Sequence, residues 1–296
     1  MNIYEHKEIA DNYGLLREIP QSIFDAYALK IVDSSPSHGA ILDAGFGVGT
    51  IIDGISKAQI SRNKGIDVYG IDSSASMKDI ASKRLVRIAN NATLIQDDLI
   101  NYLSNKPEYF DIIHFKAILH CFPNPTQVID AIDTALKPNG LVITGHEESQ
   151  TEARIERLYR ACPRVDDREL EYLLGYYFEL RSKLAYKESD MGKTFSMRQF
   201  PAGDSSIACD YFATKGYTSY ISSLDNEMEF TRKYSLGEVL MSIRLGSFGV
   251  FRDGLTDRDM EWLYMELTNF CNKRNIDLQK IHEVPARLRQ YQIRKG

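Results

Sequence analysis

The sequence predicts an α/β protein: a mostly parallel sheet wound with helices and carrying a helical insertion. Three observations predict it. Short apolar strands alternate with helical stretches from residue 40 to about 147. The first strand ends in an acidic residue and runs into glycines at alternate positions, Asp43-x-Gly45-x-Gly47-x-Gly49. After Glu148 the alternation gives way to a long helical segment with many tyrosines.

Taken in order, residues 1–39 read as helical with a break. Ile9, Tyr13 and Leu16 share one face, Pro20 opens a second helix, and Ser34 to Gly39 form a loop. The strands expected next are Ala40–Ala44, Asp67–Ile71, Ala92–Gln96, Asp111–Phe115 and Leu141–Gly145, with helices near 49–60, 75–89, 98–104 and 125–136. Lys137-Pro138-Asn139-Gly140 reads as a turn before the fifth strand. Residues 151–187 read as helical, and 188–206 carry little regular signal. A helix over Ile207–Lys215, a strand over Tyr217–Leu224, a polar helical hairpin over roughly 235–275 and a last strand over Glu283–Arg294 follow. The division is therefore an N-terminal helical lid (1–39), a core (40–148 and 207–296) and a helical cap (149–206).

The bulk numbers narrow the function classes. At 296 residues the chain can form one large domain or a domain with a substantial addition. A composition of 43% hydrophobic and 26% charged residues is that of a soluble globular protein. The net charge of −5 comes with no basic block, which disfavours nucleic acid as a partner. Met1 to Lys7 lack the pattern of a signal peptide, and no apolar run has membrane-spanning length. The four cysteines, Cys121, Cys162, Cys209 and Cys271, include no Cys-x-x-Cys pair, which favours reduced thiols over a disulfide frame or a metal site. A cytoplasmic protein with no membrane partner is expected.

The glycine turn carries the chemistry. Glycine lets the backbone turn sharply and lets a ligand approach the main chain, while the amides opening the next helix face that ligand. A dinucleotide fingerprint requires its third glycine three residues after the second. Thr50 occupies that position here, and the third glycine comes one residue early. The pattern instead resembles motif I of the class I S-adenosylmethionine (SAM)-dependent methyltransferases. Three later segments extend the resemblance over roughly residues 40–147: Val68 to Asp72, Leu94 to Leu99, and Phe110 to Phe122 with its sequel Leu136 to Ile143. Asp97 and Asn139 stand where that family usually has glycine.

The resemblance implies a Rossmann-like, seven-stranded, mostly parallel sheet with a helical cap, SAM as cofactor and S-adenosylhomocysteine as product. It implies that Asp43 anchors the methionyl end above Gly45, Gly47 and Gly49. Asp72, with Ser73 beside it, would hold the ribose, although Asp72 could instead cap the helix that follows. Asp97 and Asp98 would serve the adenine, between apolar walls from Met77 and Leu99, for which core packing is an equal alternative, and Phe115 is a further cofactor-binding candidate. Ile9-Ala10-Asp11-Asn12-Tyr13 resembles the lead-in of small-molecule methyltransferases, whose tyrosine closes over the cofactor; Tyr13 could equally pack a helix.

Methyl transfer needs an acceptor held in line and water excluded; a base is needed only if the acceptor must lose a proton. His120 is the candidate base, because Lys116 to Phe122 resembles the catalytic-histidine segment of plant-type O-methyltransferases; a structural or pocket-lining role competes. His146, Glu147, Tyr159 and Tyr177 are candidate substrate contacts on the cap side. Segments after 230 resemble small-acid methyltransferases more faintly, which implies that Arg232, Lys233 or Arg244 meets an acidic substrate. The expected activity is methyl transfer to a small molecule, with oxygen slightly favoured as acceptor atom. The competing readings are a methyltransferase for RNA or protein and a SAM-binding regulatory module. A homodimer is compatible with all of them.

Overall fold

The computed structural model describes residues 19–86, 92–149, 168–185, 203–221, 228–245 and 255–295. Helix α1 (Gln21–Asp33) follows Pro20 and precedes β1 (Ala40–Ala44), α2 (Thr50–Ser61) and β2 (Asp67–Asp72). Next come α3 (Ala75–Leu85), β3 (Ala92–Gln96), α4 (Leu99–Ser104), β4 (Phe110–Lys116) and a 3-10 turn over Leu119–Cys121. Then α5 (Pro125–Ala135) leads to β5 (Leu136–Ser149), and α6 (Arg168–Ala185), α7 (Gly203–Thr214) and β6 (Tyr217–Ile221) follow. The chain ends with β7 (Glu229–Ser235), α8 (Leu236–Leu245), α9 (Asp257–Lys273) and β8 (Ile281–Lys295).

Local chemistry explains where the helices begin. Ser74 accepts from Met77 N at 3.2 Å to open α3, and Asp98 accepts from Asn101 N at 2.9 Å to open α4. Asn124 caps α5, whose first position is Pro125, where a missing N–H costs nothing. Thr256 and Asp259 cap α9 reciprocally, each side chain bonding the other's backbone N–H.

The sheet runs β3-β2-β1-β4-β5-β8-β6, with β7 also paired to β8. The pairs from β3 to β5 are parallel, and β8 is antiparallel to β5, β6 and β7. One face is buried under α4, α5 and α7 by Leu42, Phe115, Val142 and Phe212. The other lies under α1 and α2, with Tyr27, Ile41, Ile52, Ile112 and Leu288. A third cluster joins Leu173 and Tyr177 of α6, Leu236 and Leu240 of α8, and Leu263 and Leu267 of α9.

Three expectations need correction. The sheet has eight strands among the described residues, not seven. The added strand is β7, which pairs the portion of β8 from Ile281 to Arg287, while β6 pairs the portion from Tyr291 to Lys295. A last strand longer than expected thus has room for two partners along one edge. Lys137 to Gly140 lies inside β5 as a bulge, because the pairing steps from Phe110↔Leu136 to Ile112↔Leu141. Asn139 supplies the left-handed residue of that bulge, with φ 64°. Helix α7 begins at Gly203, earlier than the apolar pattern suggested. Residues 1–18, 150–167, 186–202 and 222–224, named in several expectations, lie outside the described residues.

Candidate functional site

The carboxyl ends of β1, β2 and β4 and the turns that leave them form the site. Gly45, Gly47 and Gly49 have φ of 72°, 54° and 79°, left-handed values that disfavour any side chain. Their neighbours differ. A Cβ at Gly45 would lie 2.3 Å from Ile118 Cγ2, and one at Gly49 would lie 2.8 Å from Ala81 Cβ. A Cβ at Gly47 would meet nothing within 4 Å. Gly45 and Gly49 therefore let β4's exit and α3 close against the turn, whereas Gly47 borders open space. The exit from β4 is itself unusual: Ala117 has φ 55°, a strained value for a residue with a Cβ.

Asp72, at the end of β2, ties this turn to the next. Its Oδ2 accepts from Gly47 N and its Oδ1 from Ser74 N, both at 2.9 Å. The cap of α3 is Ser74, so the alternative of Asp72 as helix cap does not apply. Ser73 is exposed beside it, and Met77 is buried two residues into the helix floor. After β3, Asp97 Oδ1 accepts from Asp98 N at 2.7 Å, Asp98 caps α4, and Leu99 is buried.

Asp43 is 2% exposed at the end of β1. Its Oδ1 lies 2.7 Å from His114 Nδ1 on β4, the residue with which it is in register. His114 Nε2 lies 3.1 Å from the Tyr27 hydroxyl of α1. Asp43 Oδ2 is buried without a hydrogen-bond partner among the described residues. Burial, with the charge of Asp43 beside it, pushes the Tyr27 phenol well above its ordinary range, so the phenol keeps its proton. Neither Tyr27 nor His114 was expected from sequence. The available signal was His114 itself, a polar residue inside the apolar run Phe110-Asp111-Ile112-Ile113-His114-Phe115.

Other expected residues fall elsewhere. The Phe115 ring is fully buried in the core beneath α5, and its alternation along β4 turns it to the face opposite His114. Tyr177 is likewise fully buried, and its hydroxyl accepts from Arg181 Nη1 at 3.0 Å inside the third cluster. Glu147 ion-pairs with Arg232, both largely buried, and His146 is half-buried next to it. Lys233 pairs with Glu283 and Arg244 with Glu261, so each cation expected to meet an acidic substrate already has a carboxylate. His120 lies in the 3-10 turn after β4, but its side chain is outside the described residues, as are Tyr13 and Tyr159.

The geometry defines a class: an α/β domain with a glycine-turn cradle for a nucleotide-type cofactor at the carboxyl ends of its strands. Comparison with known proteins narrows it. Residues 42–142 match the family model described as a methyltransferase domain. The ubiquinone biosynthesis O-methyltransferase of Actinobacillus pleuropneumoniae serotype 7 (strain AP76) is 30% identical over 106 residues, covering 34% of this chain and 43% of that protein. The chain thus spans less than half the length of the curated relative it matches. The solved YcgJ protein of Bacillus subtilis overlays 91% of this chain and 98% of its own, with a TM-score of 0.50 and 13% identity. A looser overlay, with a TM-score of 0.43 and 15% identity, covers 92% of this chain and 52% of phosphoethanolamine N-methyltransferase 2 of Haemonchus contortus, solved with S-adenosylhomocysteine.

Over residues 42–142 the chain is similar to methyltransferase domains, for which SAM is the cofactor. The residues present fit it: a glycine bordering open space and a buried carboxylate oxygen with no donor of its own. No helix among the described residues is long and apolar enough to cross a membrane.

Proposed function

We propose that this protein transfers a methyl group from SAM to a small-molecule acceptor, with oxygen favoured as the acceptor atom. The observation that carries the reading is the Asp72 carboxylate, shared between Gly47 N of the glycine turn and Ser74 N at the start of α3. Such a carboxylate is rigidly held, and an ionised carboxylate accepts hydrogen bonds from neighbouring hydroxyls. Asp43 would hold the methionyl end, with Gly47 beneath it. Asp72 and Ser73 would hold the ribose, and Asp97, Asp98, Met77 and Leu99 would surround the adenine.

The bound cofactor supplies an electrophilic methyl on a sulfonium, a good leaving group. What remains for the protein is to orient the acceptor and exclude water. Tyr13 in the N-terminal lid (1–39) and the cap (149–206) are assigned to closing the site, and His120, after β4, to receiving the acceptor's proton. The preference for oxygen rests on the name of the Actinobacillus relative, and the preference for a small molecule on the net charge of −5.

Incubation with methyl-labelled SAM and a metabolite extract tests this directly. Label should move into a low-molecular-weight product, whereas binding without any transfer would identify a regulatory module, and label in RNA or protein would identify a macromolecular substrate. Asp72→Ala should weaken S-adenosylhomocysteine binding by about 2–3 kcal/mol, the scale for losing hydrogen bonds to a charged group. Unchanged affinity in calorimetry would remove Asp72 from the site.

A further inference from the structure

We propose that His114, backed by Tyr27, is a positioning residue that holds Asp43 by one oxygen and leaves the other for the ammonium group of the cofactor's methionyl end. The proposal rests on the SAM reading above and adds residues to it. Asp43, His114 and Tyr27 are 2%, 0% and 0% exposed, so their partners are set by packing and not by water.

Proton accounting fixes the direction of the bond to Asp43. An ionised carboxylate only accepts, so the 2.7 Å contact with Asp43 Oδ1 places a proton on His114 Nδ1. On the far side of the ring, Nε2 shares a hydrogen bond with the Tyr27 hydroxyl, 3.1 Å away. Tyr27 is held in turn by Gln290 of β8, whose Nε2 donates to the Tyr27 carbonyl at 3.2 Å. Gly145 of β5 makes room, because a Cβ there would lie 2.5 Å from the Tyr27 hydroxyl. Four adjacent strands and α1 thus converge on one carboxylate oxygen.

The second oxygen of that carboxylate, Oδ2, is buried with no hydrogen-bond partner among the described residues. Among the described residues His114 is the side chain that meets Asp43, and no Lys or Arg answers its charge. A buried carboxylate oxygen left without a donor is costly, and the cost is removed when a ligand brings a cationic N–H. The methionyl ammonium is such a donor. A fixed Oδ1 prevents the carboxylate from rotating to a self-satisfied position, so less ordering remains to be done on binding.

The test compares two probes by calorimetry on the full chain: S-adenosylhomocysteine, which has the amino-acid end, and methylthioadenosine, which shares the adenosine but lacks that end. His114→Leu should weaken S-adenosylhomocysteine about tenfold or more and leave methylthioadenosine within about twofold. His114→Asn, whose amide can replace the Nδ1 donor, should restore most of the loss. Tyr27→Phe should show the same selectivity at a smaller size, and it decides the matter if His114→Leu does not fold. Equal losses for both probes, or no loss for either, would overturn the positioning role. A wild-type protein that binds neither probe would overturn the SAM reading and this inference together.

Discussion

Strands β1 to β4 reach their neighbours through strand–helix–strand units, whereas β5 and β6 are joined by pairing to β8, the last element in the chain. The first region presents turns whose backbone and carboxylates are committed to one another, as in the contact from Gly47 N to Asp72. The second presents paired charges and aromatic packing: Glu147 with Arg232, and the cluster of α6, α8 and α9 against Tyr234. The contrast teaches where binding and stability are separately held. On the proposed reading, a cofactor common to many enzymes is met by the region with local rules. The region assembled from distant segments has its own core, so its packing can vary without moving the glycine turn.

The largest expected effect tests that separation. Leu263→Ala, at a fully buried position of the third cluster, should destabilise the fold by about 2–5 kcal/mol in denaturant unfolding. Affinity for S-adenosylhomocysteine, measured where the variant is folded, should stay within about twofold; a large drop would show that the two regions are one cooperative site. Asp43→Asn should do the reverse. It should cost about 1–3 kcal/mol of S-adenosylhomocysteine binding, while the melting temperature without ligand holds or rises, because a buried orphan charge is gone. A fall in ligand-free stability of the same size as the binding loss would argue against that account.

The smallest effect concerns the joint between α5, β6 and β8. Burial opposes it, yet hydrogen bonds from Tyr217, Lys215 and Lys295 hold the Asp133 carboxyl below the usual carboxylate range. A depressed carboxyl stabilises the fold above its unfolded pKa, and that contribution is lost as pH falls through the folded one. Asp133→Asn should therefore cost about 1 kcal/mol or less at neutral pH and nothing in strong acid. A pH-independent loss in urea titrations would assign the effect to packing instead of charge.

Much of the first region was legible because its determinants are near one another in sequence. β1 and β3 occupy the expected residues, and β2 and β4 extend them by one or two. Their apolar runs are bounded by residues with a definite turn chemistry. Asp72 could be named from its place after an apolar strand. The second region was harder. Residues 229–235 alternate Phe230, Arg232 and Tyr234 against Glu229, Thr231 and Lys233, but a strand holding one charged residue inward does not stand out from a surface loop. For Tyr177, helical spacing gives a face but not what that face meets.

The sequence by itself determined the glycine turn, the acidic residues at the first two strand ends and the order of the first four strand–helix units. These follow from φ angles that only glycine adopts freely and from periodicities a few residues long. Only the tertiary structure decided that Asp43 meets His114, that Tyr27 reaches it past Gly145, and that β8 accommodates two strands along one edge. Those contacts depend on register between strands and on distances between remote segments, and neither is encoded in any stretch short enough to be read alone.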